Sequence, residues 1–325
     1  MKGKPAFGVV VVGALFWASG SLLPASATGA VDRIMFASDR GGTFDLYSMN
    51  EDGTDTRLVV DGPMDEMHPD ISPDGERIAF VRSVGVDRPQ PNGSGGCCGP
   101  SVDLFVANID GSGITPLMPH PVIDDYRPDW SPDGTRIAFS RGNLAVAVSN
   151  IFTVKPDGSE LEQVTDGILG NNVASWSPNG TQLVFVSTRA GTPLAPGLWI
   201  TDAKGENQHA LTAAPPGVFH TSPQWAPTGD LIVFGSTQDG GASELYTIRP
   251  DGSELTRLTT NTVSDSYATW SPDGTRIAWS GNGAIWVMNA DGSDQRQISD
   301  GLSDTFPVYH PRVPRRDAPH GRQVR

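Results

Sequence analysis

Five times the chain writes an apolar run, a short polar turn and a second apolar run. The copies are Pro-Asp-Ile-Ser-Pro-Asp-Gly-Glu-Arg-Ile-Ala-Phe at 69–80, Pro-Asp-Trp-Ser-Pro-Asp-Gly-Thr-Arg-Ile-Ala-Phe at 128–139, Ala-Ser-Trp-Ser-Pro-Asn-Gly-Thr-Gln-Leu-Val-Phe at 174–185, Pro-Gln-Trp-Ala-Pro-Thr-Gly-Asp-Leu-Ile-Val-Phe at 223–234 and Ala-Thr-Trp-Ser-Pro-Asp-Gly-Thr-Arg-Ile-Ala-Trp at 268–279. Proline presets φ for the second turn position, Asp or Asn bonds to nearby backbone, and Gly takes the left-handed conformation that returns the chain. Each phrase therefore predicts a hairpin, with the Trp before the turn and the Ile-Ala-Phe after it on faces packed against a neighbouring sheet.

A second motif follows at similar distance, as in Asp-Leu-Tyr-Ser-Met-Asn-Glu-Asp-Gly at 45–53, with further copies starting at 103, 150, 197, 244 and 284. After each comes a short pair such as Arg57-Leu58 or Gln297-Ile298 that opens a last strand. The unit is four strands, and the turn glycines Gly75, Gly134, Gly180, Gly229 and Gly274 recur at intervals of about 45 to 60 residues. The ends are incomplete in complementary ways. Residues 33–38 read as a second strand without a first, and Phe306 to Pro311 as a first strand without a second. Joined, they complete a sixth unit and predict an all-β, six-bladed propeller of four-stranded blades whose ring is closed by strands from both termini.

Repeats of this form, with Ser-Asp-Arg-Gly-Gly-Thr-Phe-Asp-Leu-Tyr at 38–47 as a continuation, resemble the WD40-like (PD40) repeats of the TolB propeller family over residues 31–311. The resemblance implies a periplasmic partner of the Tol-Pal envelope system, whose propeller binds a lipoprotein. The α/β domain that precedes the propeller in that family has no counterpart expected here, because the first strand begins a few residues after the leader. Similar repeats occur beside prolyl-oligopeptidase-type hydrolase domains, but the chain has no G-x-S-x-G elbow.

Residues 1–27 read as a secretory signal: Lys2 and Lys4, an apolar stretch, and Ala25-Ser26-Ala27 as the cleavage site. The mature protein is then exported, periplasmic or extracellular, with no membrane span after signal removal. Residues 312–325 form a basic, apolar-poor tail expected to be disordered. With 38 Gly, 27 Pro and only 18% charged residues, the composition is that of a turn-rich globular protein. The net charge of −14 understates the acidity of the body, since the leader lysines and the arginine-rich tail lie outside it. Such a body repels nucleic acid and favours cations or basic protein surfaces.

Both tight turns of each blade fall on one face, so the starts of the first strands and the longer connections fall on the other. The candidate binding face lies there: Asp65, Glu66, His68, Asp124, Asp125, Tyr126, Arg127, Asp166, His220, Asp265, Tyr267, Asp304 and Phe306. Its expected partner is an envelope or extracellular protein with a basic surface, bound by a monomer. No catalytic residue is singled out. The alternative is a hydrolase or lyase with its site at the mouth of the channel. The Asp-Gly turns read as hairpins and not calcium loops, for they lack the distal bidentate Glu. No cofactor is expected, and a channel-bound cation such as calcium stays open. Cys97 and Cys98, the two cysteines, sit in a glycine-rich insertion and suggest a vicinal or intermolecular disulfide.

Overall fold

The computed structural model describes residues 32–84, 101–119, 123–143, 148–167, 170–189, 196–301 and 303–312. The leader, Cys97, Cys98 and the tail from residue 313 lie outside them. Among the described residues the chain forms six four-stranded antiparallel sheets and no helix.

Blade 1 holds β1 (Arg33–Ser38), β2 (Asp45–Asn50) and β3 (Arg57–Val60), with β24 (Thr305–Tyr309) as its innermost strand. Blade 2 holds β4 (Glu66–Ile71), β5 (Arg77–Val84), β6 (Ser101–Asn108) and β7 (Thr115–Pro116). Blade 3 holds β8 (Asp124–Trp130), β9 (Ile137–Asn143), β10 (Val148–Val154) and β11 (Glu162–Gln163). Blade 4 holds β12 (Asn171–Trp176), β13 (Gln182–Ser187), β14 (Gly197–Asp202) and β15 (His209–Ala210). Blade 5 holds β16 (His220–Trp225), β17 (Ile232–Ser236), β18 (Glu244–Ile248) and β19 (Thr256–Arg257). Blade 6 holds β20 (Asp265–Trp270), β21 (Arg276–Gly281), β22 (Ala284–Asn289) and β23 (Arg296–Gln297). The terminal strands pair as expected, Ile34 opposite Tyr309 and Met35 opposite Val308, and the six-bladed ring is closed.

The repeated turn works as its residues suggest. In blade 3 the Ser131 carbonyl accepts from Gly134 N at 2.8 Å, while the Ser131 hydroxyl accepts from Arg136 N at 2.9 Å. The Asp-Gly turns are likewise self-contained, with Asp110 and Asp291 each accepting from the backbone N–H and hydroxyl of the serine two residues on.

The last residue of each Ile-Ala-Phe phrase is the centre of the core. Phe36, Phe80, Phe139, Phe185, Phe234 and Trp279 are all at most 1% exposed. Each faces an aromatic residue across the ladder: Tyr47, Phe105, Phe152, Trp199, Tyr246 and Trp286. Such pairs contribute about 0.5–1.5 kcal/mol each beyond the area they bury. The apolar clusters straddle blades, as where Met35, Leu46 and Val308 of blade 1 pack with Ile78 and Phe80 of blade 2. No blade buries its faces alone, so the ring must close to complete its core.

Candidate binding site in the channel

Every innermost strand carries the same irregularity. Pairing with the second strand slips between Met67 and Asp70, Tyr126 and Asp129, Asn172 and Ser175, Thr221 and Gln224, and Ser266 and Thr269, and in blade 1 between Met35 and Ala37 opposite β24. At each bulge one residue has left-handed φ: His68 (51°), Arg127 (59°), Val173 (53°), Ser222 (48°), Tyr267 (56°) and Phe306 (54°). None is glycine, so each conformation costs of order 1–3 kcal/mol that the surrounding ring must offset. In four of the six the next residue is proline, which has no N–H to leave unpaired in the bulge. The freed N–H of Val173 donates to Ser140 Oγ at 2.9 Å, and that of Phe306 to Ser280 Oγ at 3.1 Å, both on the preceding blade.

These six side chains line a channel cavity of about 100 Å³. His68 and Phe306 meet at 4.0 Å between ring centroids, and Tyr267 and Phe306 at 4.4 Å. Arg127 comes from blade 3 and crosses to the opposite wall, its guanidinium carbon 4.2 Å from the Tyr267 ring centre and 5.1 Å from that of Phe306. Burial pushes His68 well below the usual histidine range, with Arg127 adding to the effect, so its imidazole is neutral. Its Nδ1 is buried without a hydrogen-bond partner among the described residues.

Two residues further along each strand a second layer projects inward, including Asp70, Asp129, Ser175 and Gln224. These four line both this cavity and a second one, of about 210 Å³, toward the turn face. Asp70 Oδ2 accepts from Trp130 N at 2.5 Å, and Asp129 Oδ2 from Trp176 N at 2.8 Å, so each carboxylate pins the next blade. Desolvation pushes Asp70 up to about 7 and lifts Asp129 well above the carboxylate range, the charge of Asp70 adding to the latter. Gln224 Oε1 is buried and unpartnered among the described residues. This layer lay outside the candidates read from the sequence. It stands at the second position of the repeat phrase, where Asp, Asp, Ser, Gln and Thr vary between a Pro or Ala and a Trp or Ile, and that variation was the available signal.

The acidic rim is placed differently from an open surface. Glu66 meets Arg82 at 2.7 Å, Asp125 takes both Nε and Nη2 of Arg141 at 2.7 Å, and Asp304 takes Arg40 through both oxygens at 2.9 Å. All three carboxylates are 0% exposed. The three guanidiniums in turn lie over the aromatic pairs of their own blades. Burial pushes Glu66 up to about 7 although Arg82 opposes the shift. In the other blades the equivalent position holds Asn171, bonded to Ser187 at 2.7 Å, His220, at 3.0 Å from Ser236 Oγ, and Asp265, which accepts from Trp279 Nε1 at 2.9 Å. Burial brings His220 down to about 4. Asp124 accepts from Val102 N at 3.2 Å and Asp65 from Phe44 N at 3.0 Å. Tyr126 is partly buried, and burial raises its pKa. Of the predicted acids, Asp166 is the one that stays open to solvent, with 96% of its side chain exposed beside Arg189.

The structure thus brings together His68, Arg127, Tyr267 and Phe306 at the channel and distributes the carboxylates around it as struts. A shallow groove of about 240 Å³ adjoins them on the loop face. It is lined by Ser264, Ser266, Ser280, Asn282 and Ser303, and Tyr267 belongs to both groove and cavity.

The family model described as the TolB beta propeller domain matches residues 125–234. The chain is 31% identical over 275 residues to a protein TolB homolog of Chlorobium luteolum, a match covering 82% of this chain and 56% of that one. It spans about half the length of the curated relatives it matches. Among solved structures it resembles TolB from Acinetobacter baumannii, with a TM-score of 0.70 at 18% identity over 86% of this chain and 67% of that one. It also resembles a putative TolB from Agrobacterium tumefaciens, with a TM-score of 0.63 at 18% identity over 87% and 92%. At that identity the structural likeness speaks for the fold.

Proposed function

The chain is a TolB-like six-bladed β-propeller, and from that premise we propose that it is an exported, non-enzymatic module that binds a protein or peptide segment at the loop-face mouth of its channel. The relationship supports a role in envelope scaffolding resembling that of TolB. The observation that carries the reading is the ring of bulges. The turn and core positions repeat almost unchanged from blade to blade, whereas the ring position holds six different residues, His, Arg, Val, Ser, Tyr and Phe, all in a conformation that disfavours side chains. Strain kept at one place, with chemistry that breaks the repeat, supports a surface shaped for a ligand. The exposed acids Asp61, Asp166 and Asp300 on the same face steer an overall basic partner toward it.

The test blocks the groove without touching the core. Ser264→Trp and Ser303→Trp on the loop face, and Thr228→Trp on the turn face, are compared with wild type in capture from the native envelope fraction. The two loop-face variants lose the captured protein and the turn-face variant keeps it. Equal recovery by all four removes the mouth as the docking site.

The Asp70–Asp129 pair favours a second reading, a hydrolase or lyase using one carboxyl as general acid. Each aspartate has one oxygen committed to a neighbouring backbone N–H, which favours the structural role. Under the second reading Asp129→Asn abolishes turnover and leaves capture intact.

A further inference from the structure

Arg127 differs from the other arginines around the loop face. Arg40, Arg82, Arg141, Arg189 and Arg257 each reach a carboxylate within 4.0 Å. Arg127 reaches none among the described residues, and its head lies instead against the faces of Tyr267 and Phe306. It lines the cavity deep in the channel, where burial lowers its pKa, yet a guanidinium remains cationic at any ordinary pH. The ring faces restore part of the lost hydration, and the Tyr267 side chain takes one hydrogen bond from the guanidinium. The remaining N–H groups of the fork have no carboxylate partner among the described residues.

We propose that Arg127 anchors the terminal carboxylate of a peptide segment inserted into the channel mouth. This rests on the docking reading above and gives it a ligand chemistry. The guanidinium fork fits a carboxylate through two parallel N–H bonds. Two further atoms of the cavity wait for partners: His68 Nδ1 and Gln224 Oε1. A chain terminus serves both, since its carboxylate oxygen accepts from the Nδ1–H tautomer of the neutral His68 ring and its last amide N–H donates to Gln224 Oε1. A cavity of about 100 Å³ has room for a carboxylate and one small residue, with the preceding residues lying in the serine-lined groove. A monoanion is favoured over a phosphate dianion because Arg127 is the one cationic side chain lining the cavity among the described residues.

The experiment is a calorimetric titration of the full chain with N-acetyl-dialanine as the free acid, with the same peptide as its C-terminal amide, and with acetate. The free acid binds and the amide binds at least tenfold more weakly. Arg127→Met loses the free acid by tenfold or more yet melts no lower than wild type, because a partly buried charge without a carboxylate partner has gone. Arg127→Lys keeps the charge without the fork and binds with intermediate affinity. Acetate binding as tightly as the peptide would overturn the assignment to a chain terminus in favour of small free carboxylates. Equal binding of acid and amide, no binding of either at about 10 mM, or an Arg127→Met protein that melts well below wild type would each overturn the proposal. Free-acid selectivity alongside undiminished capture by Ser264→Trp would leave the carboxylate site standing and remove the docking reading; the reverse pattern would do the opposite.

Discussion

Removing the Asp304 carboxylate tests whether the rim acids are struts. Asp304 precedes the closing strand β24 and holds Arg40, in the loop after β1, through two bonds of 2.9 Å. Its carboxylate is 0% exposed and Arg40 is 29% exposed. Deleting one partner of a fully buried pair costs about 3–5 kcal/mol. Arg40 retains Ser38 Oγ at 2.9 Å, the exposed Asp300 at 3.6 Å and some contact with water, which lowers the expectation. Asp304→Ala should therefore cost about 2–3 kcal/mol, which for a domain of this size lowers the melting temperature by roughly 4–12 °C. Asp304→Asn, which keeps the shape and loses the charge, should cost about half as much. A double-mutant cycle with Arg40→Ala, read by urea denaturation, should give a coupling of about 1–3 kcal/mol. Single variants each costing under about 0.5 kcal/mol, or strictly additive ones, would refute the strut assignment and return Asp304 to an open docking surface.

Asp70 makes stability depend on pH in a definite direction. Its folded pKa is raised from 3.8 to about 7, so between those values the folded protein binds more protons than the unfolded chain and stability falls as pH rises through that window. Asp70→Asn keeps an oxygen for Trp130 N–H and should gain about 2–4 kcal/mol at pH 8 while gaining little near pH 4; thermal melts showing the same effect at both pH values would contradict this. His220 and His310 act oppositely: each is held down to about 4 by burial, so their share of stability is lost as pH falls from about 6.5 toward 4. Two glycines separate backbone strain from collision. A Cβ at Gly134 meets only the Pro73 ring, Cγ at 3.3 Å and Cδ at 3.6 Å, with φ at 68°, and Gly134→Ala should cost about 1–2 kcal/mol. At Gly111 the added carbon would run into the Val59 carbonyl oxygen of the neighbouring blade, so Gly111→Ala should cost about 3 kcal/mol or more, and equal urea midpoints for the two would refute the distinction.

The blades were legible because each is local: a turn phrase, two alternating runs and a second turn lie within some fifty residues, and the unmatched ends complement one another in the sequence. Phe80 and Phe139 were recognisable as core for the same reason. Pairing across the sheet was harder to see. Glu66 and Arg82, or Asp125 and Arg141, stand directly opposite only once the strand register is set, and until then each reads as an unpaired rim charge. The bulges were hidden altogether, since the Pro or Ala after His68, Arg127 and Val173 reads as the first residue of the repeat phrase and not as a break in the ladder. The approach of Arg127 to Tyr267 joins opposite blades, and no spacing along a linear chain reports it.

The most direct test of the channel mouth as the docking site is site-specific photo-crosslinking in the native envelope, with p-benzoylphenylalanine placed at Ser264 or Asn282 on the loop face and at Thr228 or Ser253 on the turn face. The two loop-face positions should give one common adduct that the turn-face positions do not give. The same adduct from Thr228 and Ser253, with none from Ser264 and Asn282, would put the partner on the opposite end of the propeller and rule out docking at the loop-face mouth.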